Sequence, residues 1–543
     1  LNTFPSAEAL EHTLGDPHLP NGPLTYAAAM AGDRAERRPH ASLDRLRGWG
    51  YPAFLVPAAL GGRLTSLEEL LALARVVARR DPTAALIATS PWMAGVPVWQ
   101  AGTPAQQRAY ADAALRGQWS ALSLREPESH RPHEGGTDTL TACRADGGYR
   151  LEGTATMVSD VRMARFACLQ AREPETGAHT LLLTDLEQLP TAGYELLPRV
   201  STHGVRGADV AGIRFHGAFV PASAVLGRPG GGAGLAARSL AAIRTVLPAF
   251  GLGALDTGLR CAFDFLRHQR VHGGRAADLP PVRAELATAY LDLRVAETVA
   301  STCARLLQRL PALAPVSSAV AKYLVPHLAE QRLRRLAGVL GPRYLLRQDH
   351  WSGIFDKLLR DARLFVLLYG AAHDMLGALA ARLSCLDGPG ADPRRADPAF
   401  LPGCVAPPYP LGLRALAVAS GNDPVTAGLD EVCTALRTHE PALAGAAALL
   451  RAEGARLRAG AREPADPGTE QGQRAGERYA RVFAALCLAR RHLAGERLHW
   501  LAPALTAVLR PGTPLPGENV ESLFLELAME YAGRSALSLS RPA

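Results

Sequence analysis

Lysine is almost absent from this 543-residue chain: of 59 basic residues, only Lys322 and Lys357 are lysines. The arginines alternate with Asp and Glu along helical segments and form no stripe with interleaved aromatics. The net charge of +8 therefore leaves no nucleic-acid footprint, and no nucleic-acid partner is expected. The eight cysteines (Cys143, Cys168, Cys261, Cys303, Cys385, Cys404, Cys433, Cys487) are scattered, with no Cys-x-x-Cys pair and no Cys/His cluster. Buried free thiols are expected, not a metal site or a disulfide framework. No uninterrupted apolar run approaches the ~18 residues of a membrane span, so none is expected. The opening Leu1-Asn-Thr-Phe-Pro carries no basic segment followed by an apolar one, and the expected location is the cytoplasm.

What is present is a globular composition, 48% apolar and 20% charged, on a chain too long for one core. Residues 1–118 read as an N-terminal helical domain. Within it, 67–80 has apolar residues at helical spacing, opens on Thr65-Ser66-Leu67-Glu68-Glu69 with an N-cap and early acids, and stops at Asp81-Pro82. At 119–234 the pattern changes to short β-type runs divided by Gly and Pro, closed by Gly230-Gly-Gly-Ala-Gly234. Residues 235–386 return to long helices, one of them marked by Val282, Leu286, Tyr290, Leu293, Ala296, Ala300, Cys303 and Leu307. A Pro/Gly/Asp-rich linker at 387–411 precedes a C-terminal helical extension, 412–543, interrupted by a polar loop at 460–476. Helical, then β, then helical is an α+β order.

Three segments carry a resemblance to flavin-dependent acyl-CoA dehydrogenases. Leu124-Arg-Glu-Pro127, with Gly148-Tyr-Arg-Leu-Glu-Gly-Thr-Ala-Thr-Met-Val-Ser-Asp160, resembles the family's Leu-Thr-Glu-Pro and Gly-Tyr-x-Leu-Asn-Gly-x-Lys-x-Trp-Ile-Thr-Asn. Gly204-Val-Arg-Gly-Ala-Asp209, Phe219-Val-Pro221 and Leu226-Gly227 resemble the end of the same β domain. Lys357-Leu-Leu-Arg-Asp-Ala-Arg363, running on to Tyr369-Gly370, resembles the last bundle helix. The resemblance implies a helical domain, a middle β domain and a four-helix bundle. It also implies FAD, an acyl-CoA or acyl-carrier-protein thioester, and a homodimer or homotetramer.

The family's flavin contacts fall on Leu124, Arg125, Met157, Ser159, Arg270 and Gly341. Arg125 stands for Thr, Met157 for the ring-shielding Trp, and Gln269 for the pyrophosphate-binding Arg, with Arg270 one step away. His272 stands for a Phe. Of a Gly-Gly-x-Gly-Tyr turn, Leu340-Gly-Pro-Arg-Tyr344 keeps Gly341 and Tyr344, and Pro342 and Arg343 remove the freedom of a phosphate-binding backbone. The family's catalytic carboxylate falls on Tyr369, and its alternative position on Ile243, beside a retained Arg244. A tyrosine with an ordinary pKa of about 10 is protonated at neutral pH, so Tyr369 reads as a proton donor, a steric plug or a core aromatic on an apolar helix face. The His-rich loop 129–133 falls where the family contacts the carrier's phosphate, or is a solvated loop. His373 and Asp374 read as surface. The expected function is an acyl-CoA dehydrogenase-like oxidoreductase whose ordinary α,β-dehydrogenation lacks its base. The alternatives are a flavin-dependent oxygenase or oxidase on the same fold, and a flavin-free acyl-thioester-binding protein with non-redox chemistry or a partner role.

Overall fold

The computed structural model of the protein describes residues 4–124, 139–347, 350–386, 392–402, 423–462 and 466–533. Six helices come first: α1 (Pro5–Leu14), α2 (Tyr26–Arg34), α3 (His40–Trp49), α4 (Leu67–Ala78), α5 (Pro82–Ala101) and α6 (Pro104–Leu115). Ser66 caps α4 by accepting from Glu69 N at 3.3 Å. Asp81 not only ends α4 but caps α5, its carboxylate accepting from Thr83 N at 3.0 Å. Nearly all of α5 is buried, which places it at the junction of the molecule's layers.

A seven-stranded sheet follows: β1 (Trp119–Ser123), β2 (Thr141–Ala145), β3 (Gly148–Ser159), β4 (Ala164–Arg172), β5 (His179–Asp185), β6 (Tyr194–Leu196) and β7 (Val210–Pro221). The order is β1-β4-β2-β3-β7-β6, with β5 paired to β4. β3 and β7 form a long antiparallel pair from Gly148↔Pro221 to Ser159↔Val210, and an irregularity between Ala155 and Val158 lets Met157 adopt φ 54°. The sheet has its own core of Leu151, Ala167, Leu169, Ile213, Phe215 and their neighbours.

The bundle consists of α7 (Gly232–Val246), α8 (Pro248–His268), α9 (Pro280–Arg309), α10 (Ala314–Leu340), α11 (Ile354–Leu367) and the short α12 (Ala372–Ala380). A two-stranded ribbon, β8 (Arg270–Val271) and β9 (Gly274–Arg275), interrupts the helices where the sequence reads as purely helical. Two helical stretches, 232–268 and 350–380, are long and apolar enough by composition to cross a membrane. The first is mostly buried core, and the second is broken at Tyr369, which has φ 59°.

The C-terminal region contains α13 (Pro424–Ala427), α14 (Leu429–His439), α15 (Ala444–Arg462), α16 (Glu470–Arg491), α17 (Leu501–Leu509) and α18 (Gly517–Ala532). Much of the loop expected over 460–476 is helix: α15 runs to Arg462, and α16 starts at Glu470, capped by Thr469. One apolar cluster runs without a break from α1 through the bundle to α18. Buried ion pairs tie its parts. Arg75 of α4 meets Asp256 of α8 at 2.9 Å and Glu297 of α9 at 2.8 Å, and Arg305 of α9 holds Glu68 of α4 through two 2.8 Å bonds. Such pairs contribute little beyond their desolvation cost when intact, but losing one partner strands a buried charge.

Candidate active site

The end of α11 is built by charge. Lys357 lies fully buried in the first turn of the helix, 2.8 Å from Asp81 and 2.8 Å from Thr83 Oγ1, and is ion-paired with Asp361 one turn on. Asp361 also accepts from Val205 N at 2.6 Å, which docks the 204–209 loop on the helix. That docking needs glycine: a Cβ on Gly204 would stand 2.7 Å from Arg360 O, and one on Gly207 would stand 2.7 Å from Arg37 O.

At the C-terminal end, Lys322 of α10 donates to Phe365 O at 2.6 Å and Val366 O at 2.9 Å. Arg244 of α7 donates to Tyr369 O at 2.7 Å. Two cations thus take carbonyls at the negative end of the helix. Burial lowers both, Lys322 to about 7 with Arg244 adding to the effect, and Arg244 to about 10 against the pull of Asp374.

Tyr369 is not on the helix, contrary to the sequence reading. The helix stops at Leu367, Leu368 is extended, and Tyr369 sits in the left-handed region before Gly370. This turn swings its ring into a cavity between α5, the sheet and the bundle, lined by Leu86, Ile87, Ser90, Met93, Ser120, Leu122, Ser159, Asp160, Ala208, Leu368 and Tyr369, with about 410 Å³ of empty volume including its mouth. Burial, with Asp160 nearby, pushes the Tyr369 hydroxyl up to about 12. It is neutral throughout the physiological range, a donor and not a base.

Asp160 is the residue that sequence reasoning missed. It is 1% exposed, has φ 60°, and is the sole carboxylate on the cavity wall among the described residues. Arg38, arriving from ahead of α3, is ion-paired with its Oδ1, and Ser90 Oγ lies 2.9 Å from its Oδ2. Burial raises its pKa and Arg38 opposes that rise. The Arg38 guanidinium stacks 4.4 Å from the Trp119 ring, and its Nε and Nη2 have no hydrogen-bond partner among the described residues. Asp160 stands where the family pattern has Asn, a departure legible in the chain. Arg38, Ser90 and Trp119 come from remote positions that no local pattern connects.

Of the expected site residues, the structure brings Ser159 and Tyr369 to one cavity and sets Arg244 behind Tyr369. Leu124 is half-buried at the end of β1, and Arg125 and the loop 129–133 lie outside the described residues. Met157 is 61% exposed and does not line the cavity. Arg270 lies exposed on the ribbon, directly opposite Arg275, and Gly341 opens a 3-10 turn after α10 at φ 63°; neither reaches the cavity wall. His373 and Asp374 start α12, where Asp374 caps the helix by accepting from Ala371 N at 2.9 Å.

The helical, β and helical layers, with a cavity at their junction closed by the end of the last long bundle helix, define the acyl-CoA dehydrogenase-like class of fold. A family model described as acyl-CoA dehydrogenase, C-terminal domain, matches residues 230–384. The human mitochondrial short-chain specific acyl-CoA dehydrogenase is 25% identical over 274 residues, 50% of this chain and 66% of that protein. The amino sugar nitrososynthase DnmZ of Streptomyces peucetius is 30% identical over 293 residues, 52% of this chain and 69% of that protein. A solved Bacillus anthracis acyl-CoA dehydrogenase complexed with FAD superposes with TM-score 0.62 at 14% identity, covering 97% of this chain and 94% of that one. The chain belongs to the acyl-CoA dehydrogenase family. It spans just under two thirds of the length of the first curated relatives it matches, 66% and 65%.

Family membership implies FAD, and the residues present fit it in part. The exposed Met157 beside Ser159 offers a face for a flat ring, and the like charges of Arg270 and Arg275, opposed across a two-residue ribbon, are relieved by an anion such as a pyrophosphate. The 341–345 turn fits less well, because Pro342 removes an amide donor and Arg343 lies over the Phe265 ring at 5.8 Å. Bound FAD would supply a two-electron acceptor. The protein's own residues supply a neutral tyrosine, hydroxyls and one paired carboxylate.

Proposed function

We propose that the protein is an acyl-CoA dehydrogenase-like oxidoreductase that takes an acyl-CoA or acyl-carrier-protein thioester, holds FAD weakly, and does not carry out ordinary α,β-dehydrogenation. The observation that supports this is Tyr369: in the cavity where a base is required stands a hydroxyl raised to about 12, and the wall's one described carboxylate is tied to Arg38. Proton abstraction by a positioned base typically contributes about 10²- to 10⁴-fold, and the one carboxylate on the described wall, Asp160, is engaged by Arg38 and Ser90. Tyr369 is suited to donating a hydrogen bond or a proton to a substrate oxygen.

The test separates binding from chemistry. Equilibrium dialysis with a saturated acyl-CoA in deuterated buffer, followed by mass analysis, is expected to show binding without deuterium entry at the α carbon, with or without added FAD. Rapid exchange, or full flavin bleaching by the saturated thioester, would return the protein to the ordinary dehydrogenases. A second reading, a flavin-dependent oxygenase or oxidase, is favoured by the relative named as a nitrososynthase. It predicts oxygen uptake when reduced FAD is supplied together with substrate.

A further inference from the structure

The cavity wall is mostly apolar but carries several polar groups. Besides Leu86, Ile87, Met93, Leu122 and Leu368, it carries Ser90, Ser120, Ser159, Asp160 and Tyr369. The enclosed cavity is only about 20 Å³, and the 410 Å³ counts open solvent at its mouth, so an acyl group that enters it is short. The polar groups are also short of donors. Ser90 Oγ lies 2.9 Å from both Asp160 Oδ2 and Ile87 O, so its single proton serves one acceptor and leaves the other wanting. Asp160 Oδ1 accepts from Arg38 from behind the wall, yet each carboxylate oxygen has two acceptor sites. A plain alkyl chain packed here would desolvate these groups without replacing their water, which disfavours its binding.

We propose that the acyl group this cavity takes is short and carries a hydrogen-bond donor, a hydroxyl or an ammonium, that lies against Asp160 and Ser90. This rests on the acyl-thioester reading above. The donor fills the acceptor capacity that Arg38 and Ser90 leave open, and the apolar side chains of α5 and β1 cover the remaining carbons.

The experiment uses the full chain and pantetheine thioesters, whose shared arm makes the acyl group the sole variable. Butanoyl, 3-hydroxybutanoyl, 3-aminobutanoyl and octanoyl thioesters are compared by calorimetric titration. At least one donor-bearing thioester is expected to bind about tenfold or more tightly than butanoyl, and octanoyl most weakly. The two donor arms distinguish hydroxyl from ammonium. Ser90→Ala, with folding checked by its melting temperature, is expected to narrow the preference. Asp160→Asn, if it folds, is expected to remove a preference for ammonium and to spare one for hydroxyl. Binding of all four thioesters with butanoyl or octanoyl preferred overturns this inference and leaves the thioester reading standing. No binding of any of them at millimolar concentration overturns both.

Discussion

Tyr369, Lys322 and Lys357 show how single side chains are fixed by what surrounds them. Tyr369 is held by its backbone: Arg244 takes its carbonyl, and the left-handed turn aims its ring. Tyr369→Phe should therefore leave the melting temperature within a degree or two, since the hydroxyl has no hydrogen-bond partner to lose among the described residues. Tyr369→Glu should raise α-deuterium exchange of a saturated acyl-CoA by about 10²-fold or more. Absence of any rise in a folded, thioester-binding Glu variant would show that the tyrosine does not mark the base position.

The chain's two lysines are both 1% exposed, and both serve α11. Lys322 lies against two carbonyls and Lys357 between two carboxylates and a hydroxyl, each a close cage for a compact ammonium. Lys322 falls to about 7 when folded, whereas a lysine in the unfolded chain keeps an ordinary value near 10.4. Between those values the unfolded chain binds more protons, so this group makes stability rise with pH, by up to about 1.4 kcal/mol per unit. The neutral amine still donates to both carbonyls, so deprotonation forfeits neither bond. Urea midpoints at pH 7 and 9.5 should show the wild type gaining on Lys322→Met over that interval. Parallel curves would mean that Lys322 stays charged throughout.

Among the elements, α11 and the 204–209 loop form the joint that carries the site. Gly204→Ala drives a methyl against the carbonyl of Arg360, a backbone atom that moves only with its helix. Such overpacking costs about 1 to 3 kcal/mol and should show as a lower melting temperature and as weaker thioester binding, because the end of α11 shifts with it. A variant that loses stability with unchanged binding would mean that the loop, not the helix, gives way. The periodicities that set out α4, α9 and the sheet are legible in the sequence, because long amphipathic stretches and alternating runs report burial locally. Two elements were misread for the same kind of reason. The apolar run through Leu364 to Leu368 resembles continuing helix, yet its stop depends on Tyr369-Gly370 and on two distant cations. The polar residues after 466 resemble loop, yet Thr469 caps a helix whose buried side is set by packing on α12. The family motifs located Ser159, Tyr369 and Arg244. Asp160 was visible only as a departure from Asn, and its partners Arg38 and Ser90 lie 122 and 70 residues away.

For the whole molecule, the C-terminal region acts as a cover for α9. From Leu286 to Gln308 every residue of α9 but Thr288 and Arg294 is buried, and α16, α17 and α18 pack against it. Arg491 donates to Ser301 Oγ at 2.8 Å, Tyr290 donates to Glu530 at 2.9 Å, and Arg283 is paired with Glu521 at 2.6 Å. Each fully buried apolar side chain on this seam contributes about 1.5 to 3 kcal/mol. A chain ending at residue 402 should therefore expose a long apolar stripe and pellet on centrifugation more than the full chain does. The same cover bears on assembly, because a face already filled by the chain's own helices is not open to a second copy. No described residue covers the exposed surface around Met157 and the Arg270 ribbon in this way. We therefore expect a homodimer of the 57.5 kDa chain and not a tetramer. Sedimentation at micromolar concentration should give twice the chain mass, with dimerisation strengthened by FAD if the opposed arginines hold its phosphates in the partner's reach. A strict monomer, with or without FAD, would overturn the dimer, and a tetramer would show that the α9 cover is not what limits assembly.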